Sequence, residues 1–307
     1  MSTSSEQKWL ITGANGNLGK RLIRFLAESR GHSVVAVVRS QRARQQIEAL
    51  ALGGSAADRL SVEVLDYSDA DALRGAAQGC SAAVHLVGIL KATANASYEE
   101  AHETSCRALA AALAGTSVAH LTYLSIVGSR PDAANACLAS KGRAEQICLS
   151  GSVPCCVLRV PMVIGEGDYA SFALGKRASK PVSFSFRSAS LEQPIYAGDV
   201  VQAVYQAGTT GVEGELDLGG PEMLTRKALT ARAGAILNAS PTLISLPLWL
   251  GLTMAGLMEA VLANPPVTRA MLEVLDHDDQ VDPQAALDAL QIGALTPLDD
   301  ALRAVLG

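Results

Sequence analysis

The chain has 307 residues and a formal net charge of −5; 49% of it is hydrophobic but only 4% aromatic. That length suits about two domains and a large core, and the composition leaves Ala, Val and Leu to fill it, as in a helix-covered parallel sheet. No basic block accompanies the negative charge, which argues against nucleic acid as a partner.

Strand-like and helix-like segments alternate from the start. Lys8–Thr12 reads as a strand, Asn17–Arg30 as a helix and Ser33–Arg39 as a second strand. Helical Arg42–Leu52, extended Ser61–Leu65 and the short helix Ala70–Ala77 follow. Ala82–Val87 is a fourth strand, Tyr98–Leu113 a long helix, His120–Ser125 a fifth strand, Cys137–Leu149 a helix and Val153–Val160 a sixth strand. Such βα alternation predicts an α/β fold, a doubly wound parallel sheet of the Rossmann type, with ligands at the carboxyl ends of the strands. Past Pro161 the alternation stops. Gly, Ser and Pro recur from Gly165 to Pro194, predicting loops and small sheet elements, and Pro194–Asp199 reads as a strand end before an Asp-capped helix. The last hundred residues read as mostly helical. This division predicts a cofactor-binding domain over residues 1–165, completed by part of 191–220, and a smaller, mainly helical substrate region over 166–307.

The six cysteines (Cys80, Cys106, Cys137, Cys148, Cys155 and Cys156) show no paired metal spacing, so no metal site is expected. Adjacent Cys155 and Cys156 lie in a strand-like run and should point to opposite faces. Reduced thiols and the polar opening MSTSSEQ predict a cytoplasmic, non-secreted protein. Leu246–Ala263 is apolar enough to raise the membrane question, but it contains Pro247 and Glu259 and is shorter than the ~20 residues a span needs. A buried helix or a lid over an apolar pocket is expected there, with peripheral membrane contact as the alternative.

The most informative run is Leu10-Ile-Thr-Gly13-Ala-Asn15-Gly16-Asn17-Leu18-Gly19. Gly13 and Gly16 allow a tight turn and close backbone approach, Gly19 lets the helix pack on the strand, and the helix amino-terminus suits a pyrophosphate. The second strand then decides between coenzymes. In place of the carboxylate that would hold a ribose 2′-hydroxyl, it ends in Arg39 and Ser40, with Arg42 and Arg44 behind. A guanidinium and a hydroxyl suit a 2′-phosphate, so NADP(H) is the expected cofactor; a solvated basic helix start is the alternative.

Together with this run, Leu65-Asp66, Val84-His-Leu86-Val87-Gly88, Tyr123-Leu-Ser125, Ser140-Lys141 and Arg159-Val-Pro161-Met-Val163-Ile-Gly165 resemble, in order and spacing, the extended and atypical short-chain dehydrogenase/reductases. Leu86-Val-Gly88 and Pro265-Pro-Val-Thr268-Arg-Ala-Met-Leu narrow the likeness to the group of the complex I NAD(P)-binding accessory subunit and its bacterial relatives. The resemblance implies that the pyrophosphate lies over Gly13–Gly19. It implies further that Asp66 accepts from the adenine amine with Tyr67 beside it, although Asp66 also reads as a turn residue. Leu86, Val87 and Gly88 would line the adenosine ribose, and Pro161 to Val163 the nicotinamide.

The usual catalytic pair of that family is Tyr-x-x-x-Lys on the helix after the fifth strand. Here Lys141 is present but Cys137 stands four residues earlier. Ser125 matches the first serine of the family's pair, Ile126 takes the second place, and His102 aligns with the usual asparagine. Three explanations stand side by side. Cys137 (its thiol lowered by Lys141), His102 or Tyr123 is a substitute acid; or the hydride acceptor delocalises charge and needs none; or the chain binds NADP(H) without turnover. Each residue also has a packing role as its alternative. Lys141 has the strongest claim, since it would hold the ribose in any case. The resulting expectation is an NADP(H)-dependent oxidoreductase acting on an apolar carbonyl, enone or quinone-like small molecule, working as a monomer or homodimer. A non-catalytic cofactor-binding protein and a redox-neutral isomerase or epimerase are the alternatives. Phe172, Phe184, Phe186, Tyr196, Leu248 and Trp249 are candidate substrate-lining residues.

Overall fold

The computed structural model describes residues 6–93, 96–262, 265–274 and 278–307; residues 1–5 of the polar opening and Ala263 of the apolar stretch lie outside them. In chain order the elements are β1 (Lys8–Thr12), α1 (Asn17–Arg24), β2 (Ser33–Val38), α2 (Gln41–Glu48), β3 (Leu60–Val64), α3 (Ala70–Ala76), β4 (Ala82–His85), α4 (Ser105–Leu113), β5 (His120–Ile126), α5 (Ala136–Leu149) and β6 (Cys155–Val160). There follow β7 (Val163–Ile164), α6 (Tyr169–Ala178), β8 (Val182–Phe186), β9 (Leu191–Glu192), β10 (Ile195–Tyr196), α7 (Ala197–Thr210), β11 (Gly214–Asp217), β12 (Leu224–Thr225) and α8 (Arg226–Ile236). The chain closes with β13 (Thr242–Leu246), α9 (Leu248–Val261), α10 (Arg269–Val274), α11 (Gln284–Ala289) and α12 (Leu298–Leu306).

Among the described residues the main sheet has seven strands in the order β11-β6-β5-β4-β1-β2-β3, with every pairing parallel. Its central strands are buried on both sides, because Trp9, Leu10, Ile11 and Val34 to Val38 alternate between two helical layers. One layer packs Ile11, Val84, Leu158 and Cys156 against α1 and α7; the other packs Leu10, Tyr123 and Cys155 against Leu109, Leu113 and Cys148 of α4 and α5. Cys155 and Cys156 therefore face opposite layers, and all six cysteines are free and buried. The strand order reverses between β1 and β4, and the crevice at that reversal is where a doubly wound sheet receives its ligand. Pairing of Thr12 with Val37 on one side and His85 on the other sets the ends of three strands level there.

Beyond the sheet, Ile164, Leu174, Leu229 and Leu302 build a small second core from β7, α6, α8 and α12. Four expectations need correction here. Residues 169–178 form a helix rather than loop, since Leu174 and Ala178 recur at helical spacing and are buried although Gly and Ser surround them. Helix α2 ends at Glu48, short of Leu52, and a 3₁₀ turn over Gly54–Arg59 follows. Asp199 lies inside α7 and caps nothing there; its carboxylate accepts from the backbone N–H and hydroxyl of Thr296 at 2.9 and 2.8 Å. Helix α9 is not a buried helix: only Gly251 and Ala255 are buried, while Trp249, Leu257 and Val261 face outward.

Candidate cofactor and active site

The turn after β1 shows why glycine is required. Gly13 has φ +72°, and a Cβ there would stand 2.9 Å from the Leu86 carbonyl carbon and 3.0 Å from the Val87 nitrogen. The end of β1 thus lies directly on the chain leaving β4. Gly16 closes the turn by donating to the Gly13 carbonyl at 3.0 Å and is the amino-terminal cap of α1. Having no side chain, it caps nothing, and the first turn carries no acid, so the N–H groups of Asn17, Leu18 and Gly19 lack intrahelical acceptors. Helices α2, α3, α5 and α8, by contrast, are capped by Ser40, Asp69, Asn135 and Thr225. A Cβ on Gly19 would collide with the Ala14 backbone, so this glycine brings α1 onto the turn. The cradle fits a diphosphate: bare donors, the positive end of a helix and no side chain in the way.

Around the cradle, Asn15 donates to Gln46 at 3.3 Å. The Asn17 amide donates to Asp168 and to the Glu166 carbonyl, and Arg21 pairs with Glu166 at 2.6 Å. Burial holds the Asp168 carboxyl above the usual carboxylate range, with one oxygen unpartnered. On the adenosine side, Arg39 follows β2, exposed, close enough to act electrostatically on the Tyr67 phenol and without a carboxylate partner among the described residues. Ser40 accepts from the Ala43 N–H at 3.2 Å, so its hydroxyl oxygen starts α2. Tyr67 accepts from the Gly13 N–H at 3.1 Å and donates to the Val37 carbonyl at 3.2 Å, tying the glycine turn to β2. Asp66 is exposed and accepts from the Ser68 N–H and hydroxyl, both at 2.9 Å, the turn role that its sequence also allowed. Pro161 is buried at the end of β6, and Val163 begins β7, paired with Ile195.

Lys141, His102 and Cys137 converge on the segment Gly88–Ile89. A Cβ on Gly88 would sit 3.1 Å from Lys141 Nζ and 3.6 Å from His102 Nε2, so Gly88 makes room for both. Lys141 is buried; it donates to the Leu124 carbonyl at 2.9 Å and lies 4.6 Å over the Tyr123 ring. Burial lowers its pKa from the ordinary lysine value. His102 accepts from the Ile89 N–H at 3.1 Å through Nε2, which assigns its proton to Nδ1, and that buried N–H has no partner among the described residues. Burial, reinforced by the Lys141 charge, pushes its pKa down to about 3, so the ring is neutral. Cys137 is fully buried and its thiol donates to the Ile89 carbonyl at 3.4 Å.

Two expectations about the acid, those on Cys137 and Tyr123, are corrected by this geometry, and Ser125 turns to a partner of its own. Burial outweighs the Lys141 charge and pushes the Cys137 thiol up to about 11 rather than down. Tyr123 lies wholly buried under Lys141, its phenol raised well above its usual range by burial, and is not open to a substrate. Ser125 donates to Glu145, whose carboxylate is held by Arg159 at 2.5 Å, so its hydroxyl belongs to a buried ion-pair network. Of the lining candidates, Phe172, Phe184 and Trp249 stand exposed, Leu248 is half-buried, Phe186 packs on Gly251, and Tyr196 donates to Glu166 at 2.7 Å.

One residue escaped the sequence reading. Tyr98 stacks on His102 with ring centroids 5.8 Å apart, packs beside Cys137 and donates to the Leu90 carbonyl at 3.0 Å. Its ring thus packs beside the position where the usual tyrosine would stand. Its spacing of four from His102 was the available signal.

The family described as NAD(P)H-binding matches residues 13–167. The ceramide reductase of Caulobacter vibrioides is 26% identical over 273 residues, 87% of this chain and 82% of the relative. The mitochondrial NADH-ubiquinone oxidoreductase 40 kDa subunit of Neurospora crassa is 23% identical over 279 residues, 90% of this chain and 72% of the relative. Among solved structures, UDP-glucuronic acid 4-epimerase from Bacillus cereus, in complex with UDP-glucuronic acid and NAD, superposes with a TM-score of 0.72 at 18% identity, covering 97% of this chain and 98% of that one. At that identity the likeness is one of fold. No helix among the described residues is long and apolar enough to cross a membrane.

Proposed function

This chain belongs to the NAD(P)H-binding family, in the extended short-chain dehydrogenase/reductase group, and on that premise we propose that it is an NADP(H)-dependent oxidoreductase acting on an apolar carbonyl, enone or quinone-like molecule. The observation that carries the coenzyme choice is Arg39, exposed at the end of β2 where the usual carboxylate would stand. A 2′-phosphate takes that guanidinium, and a carboxylate that would repel it is missing. The bare amino-terminus of α1 holds the diphosphate. Lys141, in the space left by Gly88, holds the nicotinamide ribose.

When bound, the nicotinamide supplies or accepts a hydride. The protein's own part is to orient the acceptor and meet the charge that develops on it. The Cys137 thiol, pushed up to about 11, is a weak acid, and the Ser125 hydroxyl is held by Glu145. The Tyr98 phenol, half-buried and stacked on the fully buried, neutral His102 ring, is the remaining donor. Donors of this kind suit acceptors that spread charge over a conjugated system, which is why enones and quinones are favoured over simple ketones. That one relative is a ceramide reductase agrees with an apolar substrate.

The same features favour a second reading, binding without turnover, because the phenol at the usual position is replaced and the serine is committed elsewhere. NADPH oxidation against long-chain enones, quinones and aldehydes separates the two. Turnover of a panel member supports the enzyme; tight NADPH binding with no oxidation of any member overturns it in favour of the binding protein.

A further inference from the structure

Two elements of the carboxy-terminal region have their amphipathicity reversed. In α9 the inward residues are small, Gly251 and Ala255, while Trp249, Leu257 and Val261 are 67%, 65% and 81% exposed. In β8, Ser183 and Ser185 are buried while Val182 and Phe184 point out. Exposed Ile244 of β13 pairs in register with Phe184, so the outward face of this two-stranded sheet is apolar as well. The two faces adjoin, because Gly251 of α9 lies on the ring of Phe186, which shares the β8 face with Phe184. Bulky apolar groups turned outward on neighbouring elements mark an interaction surface rather than scattered exposure.

Charge identifies the partner. The segments 169–191 and 223–261, which supply this surface, contain seven Lys and Arg against one acid, Glu259 of α9, which accepts from the Arg269 N–H at 2.9 Å, in a chain of net charge −5. Lys176, Lys180 and Lys227 are exposed there without a carboxylate partner among the described residues, and Lys176 lies over the Phe172 ring at 6.0 Å. We propose that α9 and the outer face of β8–β13 dock on a lipid bilayer with anionic headgroups, α9 lying in the interface plane and the lysines over the phosphates. With 14 residues, α9 is too short to span. The placement joins the membrane to the site: α10 rests on the start of α5, where Asn135 donates to the Ala270 carbonyl at 3.0 Å, two residues before Cys137. The docking stands independently of whether that site turns over.

The two tryptophans make the test direct, since Trp9 is fully buried and Trp249 exposed. The full chain is mixed with phosphatidylcholine vesicles with and without phosphatidylglycerol, and flotation and Trp emission are recorded. The proposal expects flotation and a blue shift that depend on phosphatidylglycerol and weaken with salt. Leu257→Glu with Val261→Glu, on exposed positions that leave the core intact, lowers vesicle affinity about tenfold or more. Lys176→Ala with Lys180→Ala lowers it by a similar factor for the anionic vesicles only. An emission unmoved by vesicles, or vesicle binding unaffected by both pairs, overturns the proposal. So does a vesicle-free dimer whose dissociation shifts Trp249 to the red, which assigns the surface to a second copy.

Discussion

Acidification tests the buried imidazole at the centre of the site. His102 is neutral in the fold with its pKa pushed down to about 3, whereas in the unfolded chain it titrates near the ordinary imidazole value of about 6.5. Because the folded value lies below the unfolded one, the unfolded state takes up the proton first. The stability His102 contributes is complete above the unfolded pKa and is lost as pH falls from there toward the folded value. Between about pH 7 and about pH 5 that linkage amounts to about 2 kcal/mol from this one residue. Urea unfolding of the wild type and of His102→Gln, whose carbonyl still accepts from the Ile89 N–H, isolates it. His32 and His120, also lowered chiefly by burial, remain in both proteins and cancel. The variant should lose about 2 kcal/mol less than the wild type across that interval. Identical slopes would mean that His102 is protonated in the fold, and the packing of Lys141, Gly88 and His102 would be refuted.

Other perturbations probe the rest of the site. Gly13→Ala, forced to a positive φ and against the Leu86 carbonyl, should cost about 2 kcal/mol of stability and weaken NADPH at least tenfold; unchanged binding by calorimetry contradicts the role of the turn. Asp168→Asn removes a carboxylate beside the diphosphate cradle, so NADPH should bind about threefold to tenfold tighter, and weaker binding would show the charge is needed. With its thiol near 11, Cys137 should resist iodoacetamide at about pH 8, and Cys137→Ala should keep NADPH affinity; rapid alkylation that abolishes binding refutes the buried assignment.

Much of the amino-terminal half was legible because periodicity and glycine placement there follow one architecture. The alternation of apolar runs located six strands, and Gly13, Gly16 and Gly19 stand where a turn, a close approach and a helix–strand contact demand them. Pairing of β11 with β6 was foreshadowed only as a completing segment, since Gly214–Asp217 is short and half-exposed. Helix α6 was hidden because its apolar stripe of Leu174 and Ala178 is brief and set among Ser and Gly. The apolar run at 246–263 looked buried because hydropathy reports the side chain and not the side it faces. Within the site, the convergence of Lys141 and His102 followed from aligned motifs. What Cys137 and Ser125 do there did not, because burial and a carboxylate from a distant turn of α5 decide it.

The central claim is that Arg39 and the bare end of α1 together select the phosphorylated coenzyme. Isothermal titration of the full chain with NADPH and NADH, repeated on Arg39→Ala, tests it most directly. The account predicts NADPH tighter than NADH by about tenfold or more, with the substitution erasing most of that preference and leaving NADH unchanged. Equal affinities in the wild type, or equal losses for both coenzymes in the variant, would contradict it.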